Sequence, residues 1–158
     1  MPSARTKGPF PELALPDLEG DPRPLAEAWA KGDALILIGH RDCKTTRQTL
    51  PYLDRIHRRR AAGREARLVL QDDVETARGL VKDLGLEVPV RLEADPYPLA
   101  AALELVAVPT LFLVGADGGI ARISEGFWRA DLEAFAERLG VTGPLFVPED
   151  KAPEFHPG

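Results

Sequence analysis

Cysteine is nearly absent from this sequence: among 158 residues there is one, Cys43. A single cysteine excludes an internal disulfide. Histidine is scarce too, at three residues. His40 and Cys43 could offer a metal only two ligands, with His57 and His156 elsewhere in the chain. Structural zinc requires four ligands in paired spacing, so no metal site and no cofactor is expected. Long apolar runs are missing, and with them any candidate membrane-spanning helix. The opening Met1-Pro-Ser-Ala-Arg-Thr-Lys-Gly-Pro lacks the apolar core of a signal peptide, which makes a cytoplasmic location the expectation. Positive charge is in deficit, 20 Lys and Arg against 25 Asp and Glu, a net of −5. Neither nucleic acid nor an anionic membrane is therefore an expected partner. There is no glycine-rich phosphate loop, no Ser-His-Asp order, no nucleic-acid signature and no internal repeat. At this length the chain reads as one domain, burying about 68–70% of its unfolded surface without a covalent staple.

What is present centres on residues 34–51. Leu35, Ile36, Leu37 and Ile38 are an unbroken apolar run closed by Gly39, the pattern of a strand buried on both faces. His40, Arg41 and Asp42 follow, and Asp42 is a suitable helix N-cap. Leu50, Leu53 and Ile56 then mark one stripe of a helix, with Pro51 inside it as an expected kink. Cys43 sits at the hand-over from strand to helix. There the free amides, the helix dipole, Lys44 and Arg47 favour thiolate, while Asp42 opposes it. The plain alternative is an inert, buried thiol.

The remaining elements alternate. Leu13 to Pro24 reads as a small hairpin or extended arm, and Leu25 to Lys31 as a short helix. Arg67–Leu70 is a strand, 73–84 a helix closed by Gly85, and 88–92 a strand. A helix over 97–105, a strand over 110–114, a hairpin turn at Asp117-Gly118-Gly119, a strand over 120–124 and a helix over 129–139 complete the series. The order β-α-β-α-β-α-β-β-α implies an α/β fold, a mixed central sheet with helices on both faces. Residues 1–11 form an N-terminal extension and 12–140 the domain. Residues 141–158 form a Pro-rich tail, excluded from helix and central strand, whose Phe146, Val147 and Phe155 are available for surface packing. His57-Arg58-Arg59-Arg60, with Arg64 and Arg67, is either a solvated helix end or a docking patch for an acidic partner.

Val108-Pro109-Thr110 places a proline directly before a buried strand. With this motif the chain, over roughly 11–140, resembles the thioredoxin-like superfamily, and within it the TlpA-like and AhpC/TSA-type branch. Leu15-Pro16-Asp17-Leu18-Glu19-Gly20 resembles the opening arm of that branch. Residues 36–51 resemble its strand, active-site turn and kinked helix, and 73–92 its inserted helix and strand. The resemblance implies a three-layer thioredoxin-like fold and a cis bond before Pro109. It also implies a redox site at Cys43, Thr46 and Pro109, with Val108, His40 and Arg47 toward the substrate.

The departures bear on chemistry. The family motif is Trp-Cys-x-x-Cys; here it is Asp42-Cys43-Lys44-Thr45-Thr46. The attacking cysteine is kept, and the resolving one is Thr46. Ordinary dithiol chemistry is excluded. A mixed disulfide at Cys43 would need an external thiol for release, while the Thr46 hydroxyl could donate to the sulfur. A peroxidatic variant would require a hydroxyl three residues before Cys43, where His40 stands, and an arginine beside it, for which Arg122 and Arg129 are candidates. The expected function is a monothiol oxidoreductase or thiol-dependent antioxidant protein, acting on protein or low-molecular-weight thiols and disulfides. The alternatives are a redox-inactive binding module and a homodimer linked through Cys43.

Overall fold

A computed structural model describes residues 8–158. An arm comes first, β1 (Ala14–Pro16) and β2 (Pro22–Pro24), followed by a 3-10 turn at Leu25–Trp29 where a short helix over 25–31 was expected. Then come β3 (Ala34–Gly39), α1 (Lys44–Arg59), β4 (Glu65–Leu70), α2 (Val74–Leu84), β5 (Val90–Leu92) and α3 (Pro98–Ala102). The chain continues through β6 (Thr110–Val114), β7 (Ile120–Glu125), β8 (Phe127–Trp128) and α4 (Arg129–Arg138). A 3-10 turn at Pro148–Asp150 and β9 (Phe155–His156) end it.

The five-stranded sheet runs β5-β4-β3-β6-β7. β3 is parallel to β4 and antiparallel to β6, so it is the central strand and is hydrogen-bonded on both edges. All of Leu35–Ile38 is fully buried. Because side chains alternate along a strand, Leu35 and Leu37 enter one core and Ile36 and Ile38 the other. The first core joins α1 (Leu50, Leu53, Ile56), α2 (Ala77, Leu80) and α4 (Leu132, Phe135). The second joins α3 (Leu99), Leu103, Trp29 and Phe112. The mixed sheet covered on both faces is the architecture expected from the element order.

Differences are local and have physical causes. The 1–11 extension lies mostly outside the described residues, but its last part is built in. The Phe10 amide donates to the Gly118 carbonyl at 2.8 Å and its ring packs edge-on to Trp29 and Phe112, both at 5.5 Å. α3 stops at Ala102 rather than near 105. Glu104 takes a left-handed φ of 54°, and the Leu105 amide turns back to the Ala100 carbonyl at 3.0 Å. That is the hydrogen-bond pattern of a helix end usually marked by glycine, and no glycine announces it here. At the other end of α3 the buried Glu93 carboxylate accepts the Leu99 and Ala100 amides. β4 starts two residues before Arg67 and β5 two after Val88.

The tail is more ordered than its prolines suggest. Leu145 and Phe146 are buried in the first core, Phe146 lying 4.5 Å from the Tyr52 ring. Arg55 clasps the tail, donating to the Leu145 carbonyl at 2.6 Å and to the Asp150 carboxylate at 3.0 Å. The basic run of α1 is largely spent internally. Arg58 meets Asp54 and the Gly85 carbonyl, Arg59 the Pro144 carbonyl, Arg60 the His57 carbonyl, and Arg67 Glu65. Of the two readings of that cluster, the helix-end reading is the one these contacts favour. Among the described residues no helix is long and apolar enough to cross a membrane.

Two predictions follow from buried polar groups on α1. Asp54 accepts the Glu87 and Val88 amides at 2.7 and 2.8 Å while holding Arg58 at 2.7 Å. Asp54→Ala strands those amides and should cost about 3 kcal/mol in a urea titration, with Asp54→Asn, which keeps an acceptor, costing clearly less. His57 is lowered from the usual imidazole range by desolvation, aided by Arg60, and its Nδ1 is buried without a partner. The folded state thus resists protonation that the unfolded chain accepts below about pH 6.5, so stability is lost as pH falls through that value. Relative to His57→Gln, the wild-type unfolding midpoint should fall progressively between about pH 7 and pH 5. A constant difference over that range would show that His57 carries no such linkage.

Candidate active site

The site forms where β3 ends and α1 begins. Gly39 closes the strand because Thr46 packs onto it: a Cβ there would lie 2.7 Å from both Thr46 Oγ1 and Cγ2. The chain then turns through His40–Asp42. The turn is closed by the Cys43 amide donating to the His40 carbonyl at 3.2 Å and pinned by the Arg41 amide donating to Asp72 at 2.9 Å. Asp72 is pushed above the usual carboxylate range by burial, partly offset by that amide.

This turn moves the cap by one residue from the expected position. The N-cap is Cys43, not Asp42: Cys43 has the extended φ, ψ of −83°, 116°, and its sulfur accepts the Thr46 amide at 3.4 Å. Asp42 instead faces solvent, its side chain 85% exposed and 3.8 Å from Arg41. Cys43 therefore takes the role that serine, threonine or aspartate commonly fills, with a sulfur holding one of the free amides of the helix.

On its other side the sulfur meets the loop before β6. The Val108–Pro109 peptide bond is cis. The Cys43 thiol donates to the Val108 carbonyl at 3.4 Å. The loop is tied by the Thr110 hydroxyl to the Ala107 carbonyl at 2.7 Å and by the Gly126 amide to the Pro109 carbonyl at 2.8 Å. Cys43 is partly exposed. As a thiol it is satisfied on both sides; as a thiolate it would keep the Thr46 amide and face the Val108 carbonyl without a proton between them.

The other expected site residues are placed as follows. Thr46 lies next to Cys43, but its hydroxyl does not donate to the sulfur: it is fully buried and without a hydrogen-bond partner. Its backbone amide makes that contact instead, which corrects the expected role of the side chain. Arg47 is turned back to the Arg41 carbonyl at 2.7 Å and stabilises the turn. With Lys44, Gln48 and His156 it lines a shallow hollow beside the helix start. His40 contributes its carbonyl to the turn, and its ring is not among the sulfur's hydrogen-bond partners, which are the Val108 carbonyl and the Thr46 amide. The arginines weighed for a peroxidatic site are engaged elsewhere, Arg122 with Asp131 at 2.5 Å and Arg129 4.0 Å from Glu154. Among the described residues no group of three or more His, Cys, Asp or Glu is arranged to hold a metal.

Sequence reasoning missed Thr45, His156 and Pro157. Thr45 Oγ1 lies 2.6 Å from His156 Nδ1 and donates to the Pro157 carbonyl at 2.5 Å. No spacing rule joins residues 111 positions apart; only the proline-rich character of the tail hinted at an extended segment.

No family model matches the chain, and no curated protein matches it. Solved structures do. A Chlorobium tepidum protein named for thiol:disulfide interchange, DsbE, superposes with a TM-score of 0.75 at 21% identity, covering 86% of this chain and 96% of that one. A secreted Mycobacterium tuberculosis disulfide oxidoreductase homologous to Escherichia coli DsbE gives 0.68 at 16% identity, covering 82% and 95%. The peroxidoxin BcpB of the same organism gives 0.69 at 14%, covering 84% and 93%. The chain has the thioredoxin-like fold, in the form these oxidoreductases and this peroxidoxin share.

The orphan hydroxyl of Thr46 sets a prediction. Replacing it with an isosteric methyl removes a buried, unsatisfied polar atom, so Thr46→Val should be as stable as wild type or more stable by about 1 kcal/mol in urea. Destabilisation beyond about 1 kcal/mol would mean that the hydroxyl has a partner in solution.

Proposed function

We propose that this protein is a monothiol thiol-disulfide exchange protein. The observation that carries the reading is the position of Cys43 Sγ: N-cap of a 16-residue helix, bonded to one helix amide, opposite the carbonyl before cis Pro109. The Cys43 thiolate attacks a substrate disulfide. A bond forms between Cys43 and one substrate sulfur, the substrate S–S bond breaks, and the other half leaves as thiolate. Position 46 carries no sulfur, so nothing in the chain expels the product. The thiolate of an external thiol attacks the substrate-side sulfur, forms a new disulfide with it and returns Cys43 as thiolate. A reducing compartment such as the cytoplasm supplies that thiol in excess.

Disulfides suit the site better than peroxide. A peroxidatic thiolate is served by a hydroxyl and an arginine at hand, and here Arg122 and Arg129 pair with Asp131 and Glu154. The Val108 carbonyl faces the sulfur from the loop and offers an acceptor to an extended peptide substrate.

The experiment is reaction of the reduced protein with an activated low-molecular-weight disulfide, followed by mass and by release of the leaving thiol. A single adduct at Cys43, removed by added thiol, is expected, and Cys43→Ser should abolish both steps. No adduct on the folded wild type would overturn the reading and leave a redox-inactive binding module.

A further inference from the structure

Residues 154–158 play no part in the exchange chemistry, yet they lie against the site. The Arg129 amide donates to the Glu154 carbonyl at 3.0 Å. β9 pairs antiparallel with β8, Phe127 opposite His156 and Trp128 opposite Phe155, and the Trp128 and Phe155 rings lie 4.1 Å apart. Thr45 then takes over. Its one hydroxyl proton goes to the Pro157 carbonyl, so His156 Nδ1, 2.6 Å from the same oxygen, is the donor of that second bond.

Two glycines permit the close approach. A Cβ on Gly126 would lie 2.8 Å from the His156 carbonyl oxygen and 3.3 Å from the Gly158 nitrogen, and its φ is +82°. A Cβ on Gly158 would collide with the Val108 carbonyl oxygen and lie 2.9 Å from its carbon. That oxygen is the atom to which the Cys43 thiol donates. Segment and thiol thus converge on one carbonyl.

We propose that the groove between β8 and the Val108–Pro109 loop takes an extended polypeptide, and that residues 154–158 are its built-in occupant, displaced when a polypeptide disulfide reaches Cys43. The proposal rests on the reading of Cys43 as an exchange nucleophile. The segment has the form of such a ligand: extended, paired through its backbone to a short edge strand, and closed by a residue without a side chain where the loop is tightest. Its hold is light. β9 has two residues, and Trp128 and Phe155 remain 43% and 41% exposed. Its root is firm, since Phe146 is buried and Asp150 is bound by Arg55, so the segment can leave without opening the core. Small reagents do not require that release, because Cys43 is partly exposed with the segment in place.

The test compares the full chain with two variants: one ended after Pro153, and Thr45→Val, which removes both side-chain bonds while leaving the backbone intact. Urea unfolding establishes that each is folded. Cys43 is then modified with iodoacetamide and with a maleimide carried on a large polymer, and mixed-disulfide formation is timed with a peptide disulfide. A segment away from the groove a tenth of the time slows a large reagent about tenfold. The polymer-linked maleimide and the peptide disulfide should therefore speed up about tenfold in the truncated chain, and measurably in Thr45→Val, with iodoacetamide changing less than about threefold. Equal acceleration of small and large reagents, or none of either, would overturn the proposal. Alkylation needs no exchange activity. If the large reagent gains and no mixed disulfide forms in any variant, the segment gates the site and the exchange reading falls; if exchange proceeds at one rate in all three, the gating falls and the exchange reading stands.

Discussion

Everything near Cys43 depends on the burial of β3 from both sides. Leu35 to Ile38 are fully buried, alternately toward the α1–α2–α4 core and toward the α3 core. A strand fixed by two cores and two hydrogen-bonded neighbours leaves its last residue no freedom of direction. Gly39 is that residue, and Thr46 of the next helix packs where its Cβ would be. The contact sets the distance between strand end and helix start. The same antiparallel register that aligns β3 with β6, Ile38 opposite Thr110, brings the Val108–Pro109 loop alongside the first turn of α1. The thiol meets the Val108 carbonyl because two strands are in register several residues away.

Polar balance at the site follows from what those constraints leave over. The sulfur has one donor to accept from and one acceptor to donate to, both backbone groups held by the fold. Side chains with more obvious chemistry do other work. Arg47 secures the turn through the Arg41 carbonyl, Asp42 stands in solvent, and the Thr46 hydroxyl goes unpartnered. An unsatisfied buried hydroxyl costs free energy that a methyl would not. Position 46 is therefore filled by a residue of suitable size, and its polar atom is not spent on local hydrogen bonding.

The legible parts of the sequence were those that one element decides for itself. A four-residue apolar run closed by glycine, a 3-residue stripe on α1, and Asp73 and Gly85 at the ends of α2 are local signals, and the structure has a strand, a helix and two caps there. Cys43 could be found because it stands at the junction of two such elements. The cap itself was misplaced by one residue, because Asp42 is the better cap by type and only the turn closed on the His40 carbonyl puts the sulfur over the Thr46 amide. The early stop of α3 and the pairing of His156 with Thr45 left no trace in local pattern: one comes from a left-handed glutamate, the other from a segment returning across the whole chain.

The tail is where composition said least about docking, and the reason is general. Proline excludes helix interior and central strand, but an extended segment needs neither to bind. Prolines at 144, 148, 153 and 157 make the tail stiff, and a stiff segment loses less entropy on docking than a flexible one. That matters for a protein with one thiol. A dithiol site limits the life of its mixed disulfide from within, because the second thiol expels the product. In the exchange proposed above, release depends on an external thiol, so the point the protein itself controls lies earlier, at entry. Under the proposed gating, a pre-stiffened segment seated on the Val108 carbonyl would exert that control without a second cysteine, since a competing polypeptide would have to outbind it before the chemistry begins.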